Sequence, residues 1–371
     1  MITKICFVGL DNYIMLNPYI KNEYVGGESV QHFLLAKEFS TLGYEVSMIV
    51  KDYGQENGEM IDNIKVWKTF KDRTGLPIIQ FLHPTITSII AALKKADADL
   101  YYQSCAGIVT GLVAWFCRRH KKRFIFRTAS DTDCIVGQQL IKYARDRKIY
   151  EYGLRRADII AVQGINQQRL LWDNYHLDSI PVNLVVEPPR TEISLTKDID
   201  VLWINNFRPL KRPELFFDIA LMLPKYQFVM IGGPITGSEH YYYKNSAKSQ
   251  NINNLEFVGP VPYSAVNKYF ARAKVFVNTS EVEGFPNSFL QAWIHGVPVV
   301  SFLDPDELIA KNELGFIPVD LEDMVNHIDN LIQHNNQRIY MSSIARKFAA
   351  ENYSPINIAE KYIKLLEDKV R

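Results

Sequence analysis

Val275-Phe-Val-Asn-Thr-Ser-Glu-Val-Glu283-Gly-Phe-Pro-Asn287-Ser-Phe-Leu-Gln291-Ala-Trp-Ile-His-Gly296-Val-Pro298-Val-Val-Ser301 reads as strand, loop, helix, tight turn and second strand. Two short apolar runs joined through a helix are the pattern of a parallel pair with a crossover. Gly284 permits an unusual backbone angle or close approach of a ligand. Pro286 suits the first turn of a helix, where a missing N–H costs nothing. The amides of Asn287, Ser288 and Phe289 are then expected to be free at a helix N-terminus, a setting for phosphate. Glu283 lies one loop earlier, and Gln291 about one turn further along the helix. A plain βαβ unit with a capped helix accounts for the same residues.

Outward from this segment the alternation continues in both directions. Toward the N-terminus, strands are expected at Val201–Ile204, Gln227–Gly232 and Leu255–Val258, with helices at Pro213–Leu223 and Ser264–Ala273. The helix Asn287–His295 and the strand Val299–Phe302 complete the quoted segment, and Leu321–Gln333 follows as a helix. A similar series occupies the first half. Its strands are expected at Lys4–Gly9, Glu45–Val50, Leu100–Gln103, Phe124–Arg127, Ile159–Gln163 and Val182–Val186. Its helices are expected at Ser29–Leu42, Ile78–Ala96, Ile108–Arg119, Gln138–Arg155 and Asn166–Tyr175. Strands apolar on both faces and separated by helices imply parallel sheets covered on both sides. Glu187–Lys197 is polar, holds two prolines and lacks periodicity, so it reads as a linker. The fold class is α/β, with two tandem Rossmann-like, doubly wound domains over residues 1–190 and 198–354, facing a cleft. Ligands of such sheets bind beyond the carboxyl ends of the strands.

Bulk properties narrow the function classes. The chain has 371 residues, 47% hydrophobic and 22% charged, with a net charge of +1, so nothing global points to nucleic acid. Cys6, Cys105, Cys117 and Cys134 form no C-x-x-C pair and fit reduced thiols in the cytoplasm. The histidines show no zinc-like spacing. No leader and no membrane span are expected.

The quoted segment resembles the signature of the retaining glycosyltransferases of the GT4 type, whose two-domain fold is called GT-B. Their motif is E-G-F-G-x-x-x-L-E-A followed by G-x-P-V. Here E-G-F-P-N-S-F-L-Q-A and G-V-P-V match it at most positions. The resemblance implies that Glu283 holds donor-sugar hydroxyls and that Gln291 stands where a glutamate grips the nucleotide ribose. An amide offers one acceptor oxygen and an NH₂, so ribose contact is expected to be altered. Phe285, Pro286, Asn287 and Ser288 fall in the donor-binding stretch. Val201-Leu-Trp-Ile-Asn-Asn206-Phe-Arg208-Pro-Leu-Lys211-Arg212 resembles the family's V-G-R-L-x-x-x-K-G. Lys211 matches the lysine that neutralises the donor diphosphate. Asn206 replaces the usual arginine, and either Arg208 or Arg212 is a substitute source of charge. A solvated basic loop is the plainer reading of those cations.

Gly26-Gly27 followed by a helix and Gly43-Tyr-Glu-Val resembles the family's glycine loop, which faces the donor phosphates and the acceptor. No G-x-G-x-x-G follows the first strand, which argues against a dinucleotide enzyme. Phe257-Val-Gly259-Pro-Val261 resembles a loop whose backbone meets the base, or is an ordinary strand-end turn. Ser130, Asp131 and Asp133 leave a strand toward the expected cleft, on the acceptor or sugar side. The resemblance further implies catalysis by Glu283 and Lys211, no metal, and no cofactor beyond a nucleotide-diphosphate sugar as co-substrate. It also implies a saccharide or lipid-linked acceptor, a role in surface polysaccharide assembly, and a final helix (355–371) crossing back onto the first domain. Arg118-Arg-His-Lys-Lys-Arg123 after an apolar stretch reads either as a peripheral contact with the inner face of a membrane or as a helix end whose cations complement the dipole. A non-catalytic nucleotide-sugar-binding partner is the main rival, and a nucleotide-sugar epimerase is another.

Overall fold

The computed structural model describes residues 2–17, 20, 26–72, 81–189, 196–235 and 237–368. It separates into Met1–Val185 with Pro355–Arg371, and Val186–Ser354. The middle of Glu187–Lys197 lies outside the described residues, as do the first positions of Ile78–Ala96 and the end of the last helix.

The first unit is built on a sheet of β1 (Lys4–Val8), β2 (Glu45–Val50), β3 (Met60–Ile61), β4 (Ile64–Lys68), β5 (Leu100–Ser104), β6 (Arg123–Arg127), β7 (Ile159–Val162) and β8 (Ile180–Pro181). Its order is β3-β4-β2-β1-β5-β6-β7-β8, and β3 alone runs antiparallel. Ile5, Cys6, Phe7 and Val8 are all buried, as a strand covered on both faces requires. The helices are α1 (Tyr13–Leu16), α2 (Gly27–Thr41), α3 (Thr87–Ala96), α4 (Ile108–His120), α5 (Ala144–Leu154) and α6 (Ile165–Tyr175). The C-terminal helix, numbered last below, also belongs to this unit: the Tyr362 hydroxyl accepts from Arg127 Nη1 at 2.7 Å and lies 3.2 Å from the Tyr102 hydroxyl.

The second sheet contains β9 (Ile199–Ile204), β10 (Phe228–Ile231), β11 (Leu255–Gly259), β12 (Ala273–Asn278), β13 (Val299–Ser301) and β14 (Gly315–Phe316). Its order is β11-β10-β9-β12-β13-β14, and every pairing is parallel. Around it stand α7 (Pro213–Met222), α8 (Glu239–Ser249), α9 (Tyr263–Arg272), α10 (Asn287–Ile294), α11 (Leu308–Lys311), α12 (Leu321–Gln333) and α13 (Asn335–Asn352). The returning helix is α14 (Pro355–Asp368).

Two expected elements differ, and one hairpin lies outside the expected set. The run Val182–Val186 is not a strand; pairing in that region is confined to Ile180–Pro181. Gln31 substitutes for a neighbouring strand, its Nε2 donating to Val185 O at 2.9 Å and its Oε1 accepting from Val185 N at 2.7 Å. The helix expected from Gln138 begins only at Ala144, because Leu140 is 87% exposed and offers no buried face to drive the earlier turns. The β3–β4 hairpin was not anticipated, although Asp62 and Asn63 both take positive φ (49° and 61°), as a two-residue hairpin turn of primed type requires.

α4 and α5 approach through glycines. A Cβ on Gly111 would fall 2.3 Å from Ile149 O, and one on Gly153 2.6 Å from the Thr110 carbonyl. Gly153→Ala is expected to lower stability by about 2 kcal/mol, overpacking outweighing the gain in helix propensity. Urea midpoints measure it, with Gly107→Ala, whose Cβ meets nothing within 4 Å, as the control. Equal midpoints would show that the helices separate freely.

Candidate active site

In a doubly wound sheet the ligand crevice opens where adjacent strands send their connections to opposite sides. In the second unit that point lies between β9 and β12. The loops leaving these two strands carry Asn205–Arg212 and Thr279–Glu283, and they are bonded to each other. Glu281 N donates to Leu210 O at 2.8 Å, and Thr279 Oγ1 donates to Lys211 O at 2.7 Å. Trp203, buried under the loops, donates its indole N–H to Thr279 Oγ1 at 3.0 Å. Arg212 has left-handed backbone (φ 45°) between the short turn Pro209–Lys211 and α7. Its guanidinium donates to Thr279 O at 2.8 Å and Ser280 O at 3.4 Å, so it clamps the opposite loop. Of the two arginines read as substitutes for Asn206, Arg208 is the one whose charge depresses Lys211.

Lys211 and Glu283 are brought together. Nζ lies 2.8 Å from Glu283 Oε1, with side chains only 12% and 13% exposed. Ser280 Oγ (2.6 Å), Asn278 Nδ2 (3.1 Å) and Asn205 Nδ2 (3.3 Å) donate to the same oxygen. Among the described residues every bond to this carboxylate ends on Oε1, so Oε2 is the oxygen left for a ligand. Burial pushes Glu283 up, but the Lys211 ammonium and the hydrogen bonds outweigh it and hold the carboxyl below its ordinary range. Burial dominates at Lys211 and lowers its pKa despite Glu283, with Arg208 adding to the effect. The site is thus an ionised carboxylate beside a partly desolvated ammonium.

α10 starts beside this pair in sequence, with Pro286 as its extended N-cap residue (φ −69°, ψ 119°) rather than within its first turn. One expectation is corrected: Phe289 N is not free, since it donates to Pro286 O at 3.1 Å. Asn287 and Ser288 are the first two helical residues. The Phe285 ring packs 6.2 Å from Trp293 and 5.7 Å from Tyr353, an anchoring contact for the helix start. Gln291 is 7% exposed and donates Nε2 to Asn267 Oδ1 at 3.2 Å. Asn206 N–H bonds the Asn205 side chain at 3.0 Å. Val261 is half-buried beyond β11, two residues after Gly259, whose φ of 80° turns the chain.

Sequence reading missed Asn205, Asn278 and Ser280, which hold Glu283. Polar residues directly after apolar strand runs were the available signal. It also missed Gly232 after β10, where a Cβ would lie 1.8 Å from Asn205 O.

In the first unit the switch point lies between β1 and β5. Gly26 is the extended N-cap residue of α2 and Gly27 its first residue; residues 22–25 of that stretch lie outside the described residues. His32 on α2 is fully buried, and burial drives its pKa down to about 3, so it is neutral. Its Nδ1 lies 2.9 Å from Asn12 Nδ2 and its Nε2 2.7 Å from Ser104 Oγ, which assigns the proton to Nε2. Burial pushes Glu28 up to about 8, opposed by the Cys105 thiol and reinforced by Asp11 and Asp133. Ser130 and Asp133 form a capping box on the turn Asp131–Cys134. Asp133 Oδ2 accepts from Ala129 N at 2.8 Å, and burial pushes its carboxyl up to about 6. Asp131 accepts from Asn166 and Gln167, each at 3.0 Å. Both aspartates are thus engaged within their own unit.

Comparison with known proteins bears on the fold. The family model described as "Glycosyl transferases group 1" matches residues 189–348, the span that contains the Lys211–Glu283 site. An uncharacterized glycosyltransferase of Haemophilus influenzae is 28% identical over 155 residues, 40% of this chain. The match spans 42% of that relative's length. Sucrose-phosphate synthase from Thermosynechococcus elongatus superposes with a TM-score of 0.79 at 17% identity, over 99% of this chain and 98% of that one. The catalytic domain of starch synthase IV from Arabidopsis thaliana, bound to ADP and acarbose, superposes at 0.70 and 11% identity, over 100% and 99%. The fold is therefore GT-B.

Proposed function

We propose that this chain is a retaining glycosyltransferase of the GT4 type, moving a sugar from a nucleotide-diphosphate donor to a saccharide or lipid-linked acceptor without a metal. The observation that carries the reading is the Lys211–Glu283 pair at the second sheet's switch point, 2.8 Å apart and mostly buried. A diphosphate leaving group gains charge as its bond to the sugar breaks, and a preorganised ammonium stabilises that charge most where water is scarce. Glu283 presents Oε2 to sugar hydroxyls while Oε1 is held by its neighbours. The sugar C1–phosphate bond breaks, the acceptor oxygen bonds C1 on the same face, and the acceptor proton passes to the departing phosphate. No glycosidase-like carboxylate pair enters this scheme. Gln291 and Asn267 form the amide pair at the ribose end. The setting we propose is surface polysaccharide assembly at the cytoplasmic face of a membrane; among the described residues no helix is long and apolar enough to cross one.

A thermal-shift panel of nucleoside diphosphates and their sugars tests the reading. A ligand at ~100 times its dissociation constant should stabilise the second unit by ~2.7 kcal/mol. A flat panel would overturn the proposal. A shift without transfer to any acceptor would favour a non-catalytic binding protein, the reading to which Asn206 and Gln291 lend support.

A further inference from the structure

Charge in this chain is unevenly placed. Residues 112–123 and 136–156 carry eleven lysines and arginines against two acidic side chains, in a chain whose net charge is +1. The fold brings these segments together as α4, α5 and the turns preceding α5. Not all of the run from Arg118 to Arg123 remains available. Lys122 pairs with Asp97 at 2.9 Å and Arg123 with Asp158 at 3.4 Å. Arg118, Arg119 and Lys121 stay exposed and form no ion pair among the described residues. A helix end needs fewer cations than this to complement its dipole.

Apolar side chains are exposed on these same segments and beside them. Trp115 lies one turn before Arg118 and Arg119 on α4 and is 45% exposed. With Leu112 it lines a groove of about 700 Å³, whose other wall is Arg145, Lys148 and Tyr152 of α5. The Arg145 guanidinium stacks 3.3 Å from the centroid of Phe81, which places the 59% exposed Leu82 nearby. Leu140 (87%) and Val136 (52%) are exposed in the turns leading to α5. Basic residues with long apolar stems around an exposed tryptophan and leucine suit an interface of anionic headgroups over acyl chains. Nucleic acid would engage the cations but leave Leu140, Val136 and Leu82 without a role.

We infer that the α4–α5 face of the first unit docks on an anionic lipid bilayer, with Trp115 and Leu140 entering the headgroup boundary and Arg118, Arg119 and Lys148 meeting lipid phosphates. This deepens the transferase reading, on which it rests only for its purpose, access to a lipid-linked acceptor.

Vesicle sedimentation of the full chain, with neither donor nor acceptor present, tests it. Pelleting is expected with phosphatidylcholine vesicles containing phosphatidylglycerol, not with phosphatidylcholine alone, and should weaken as salt rises. Trp115→Ser with Leu140→Ser should lower partitioning about tenfold. Arg118→Ser with Arg119→Ser should lower it roughly 10- to 30-fold. Both variants should keep the thermal melt and the nucleotide-induced shift of the parent. Absence of pelleting, equal pelleting on both vesicles, indifference to the substitutions, or release from vesicles by duplex DNA would each overturn the inference. None of these outcomes alters the nucleotide panel, so the two readings fail separately.

Discussion

Replacing Lys211 with alanine is expected to slow sugar transfer by about 10²- to 10³-fold, the usual cost of removing one donor from a developing anion. The second unit should remain folded, because Ser280, Asn278 and Asn205 still donate to Glu283 Oε1. The pH dependence sharpens the test. Lys211 has a lowered pKa, with burial the largest cause, so its ammonium is lost at a lower pH than that of a free lysine. Parent activity should therefore fall on an alkaline limb lying below that of an ordinary solvated lysine. Lys211→Arg keeps the charge at all accessible pH, so whatever activity it retains should lack that limb. In Lys211→Ala the Glu283 carboxyl loses its nearest cation and its pKa rises, moving the acid limb of residual activity upward. Near-normal transfer by Lys211→Ala, or an unchanged alkaline limb in Lys211→Arg, would remove lysine from the mechanism.

The second sheet was legible almost strand by strand, because Val201–Ile204, Val275–Asn278 and Val299–Phe302 are apolar runs with few competing local signals. Glu283 and Lys211 were legible as well, though as two separate motifs. That they contact each other was not, since they are 72 positions apart and only the parallel register of β9 beside β12 brings their loops together. Spacing within a motif carries no information about that register. The supporting Asn205, Asn278 and Ser280 escaped for a related reason: each is an ordinary strand-end residue until its side chain is seen to converge on Glu283. Arg212 shows the opposite failure. Its charge suggested phosphate, yet a left-handed backbone at φ 45° turns it toward the carbonyls of Thr279 and Ser280. In the first unit, Val182–Val186 had the composition of a strand but found Gln31 as its hydrogen-bond partner, a tertiary contact no local pattern encodes.

Glu283→Gln should separate two functions that wild-type measurements merge. The amide has the same shape, and its oxygen can still accept from Ser280 and Asn278. It loses the charge that holds Lys211 at 2.8 Å. In the unliganded site a diphosphate competes with Glu283 for that ammonium, so removing the competitor should leave binding of a bare nucleoside diphosphate unchanged or tighter. Transfer should move the other way. If Oε2 orients the sugar through charge-assisted bonds, the variant should lose about 100-fold in kcat, within the range for a positioned polar group acting in the transition state. The affinity gain also has a stability counterpart. Lys211 would be left partly buried without its carboxylate, so the ligand-free variant should melt below the parent, and nucleoside diphosphate should restore more of the melting temperature than it adds to the parent. Weakened diphosphate binding together with lost transfer would mean that Glu283 acts by shaping the loop rather than by holding the sugar. Retained transfer would mean that the carboxylate is not needed at all.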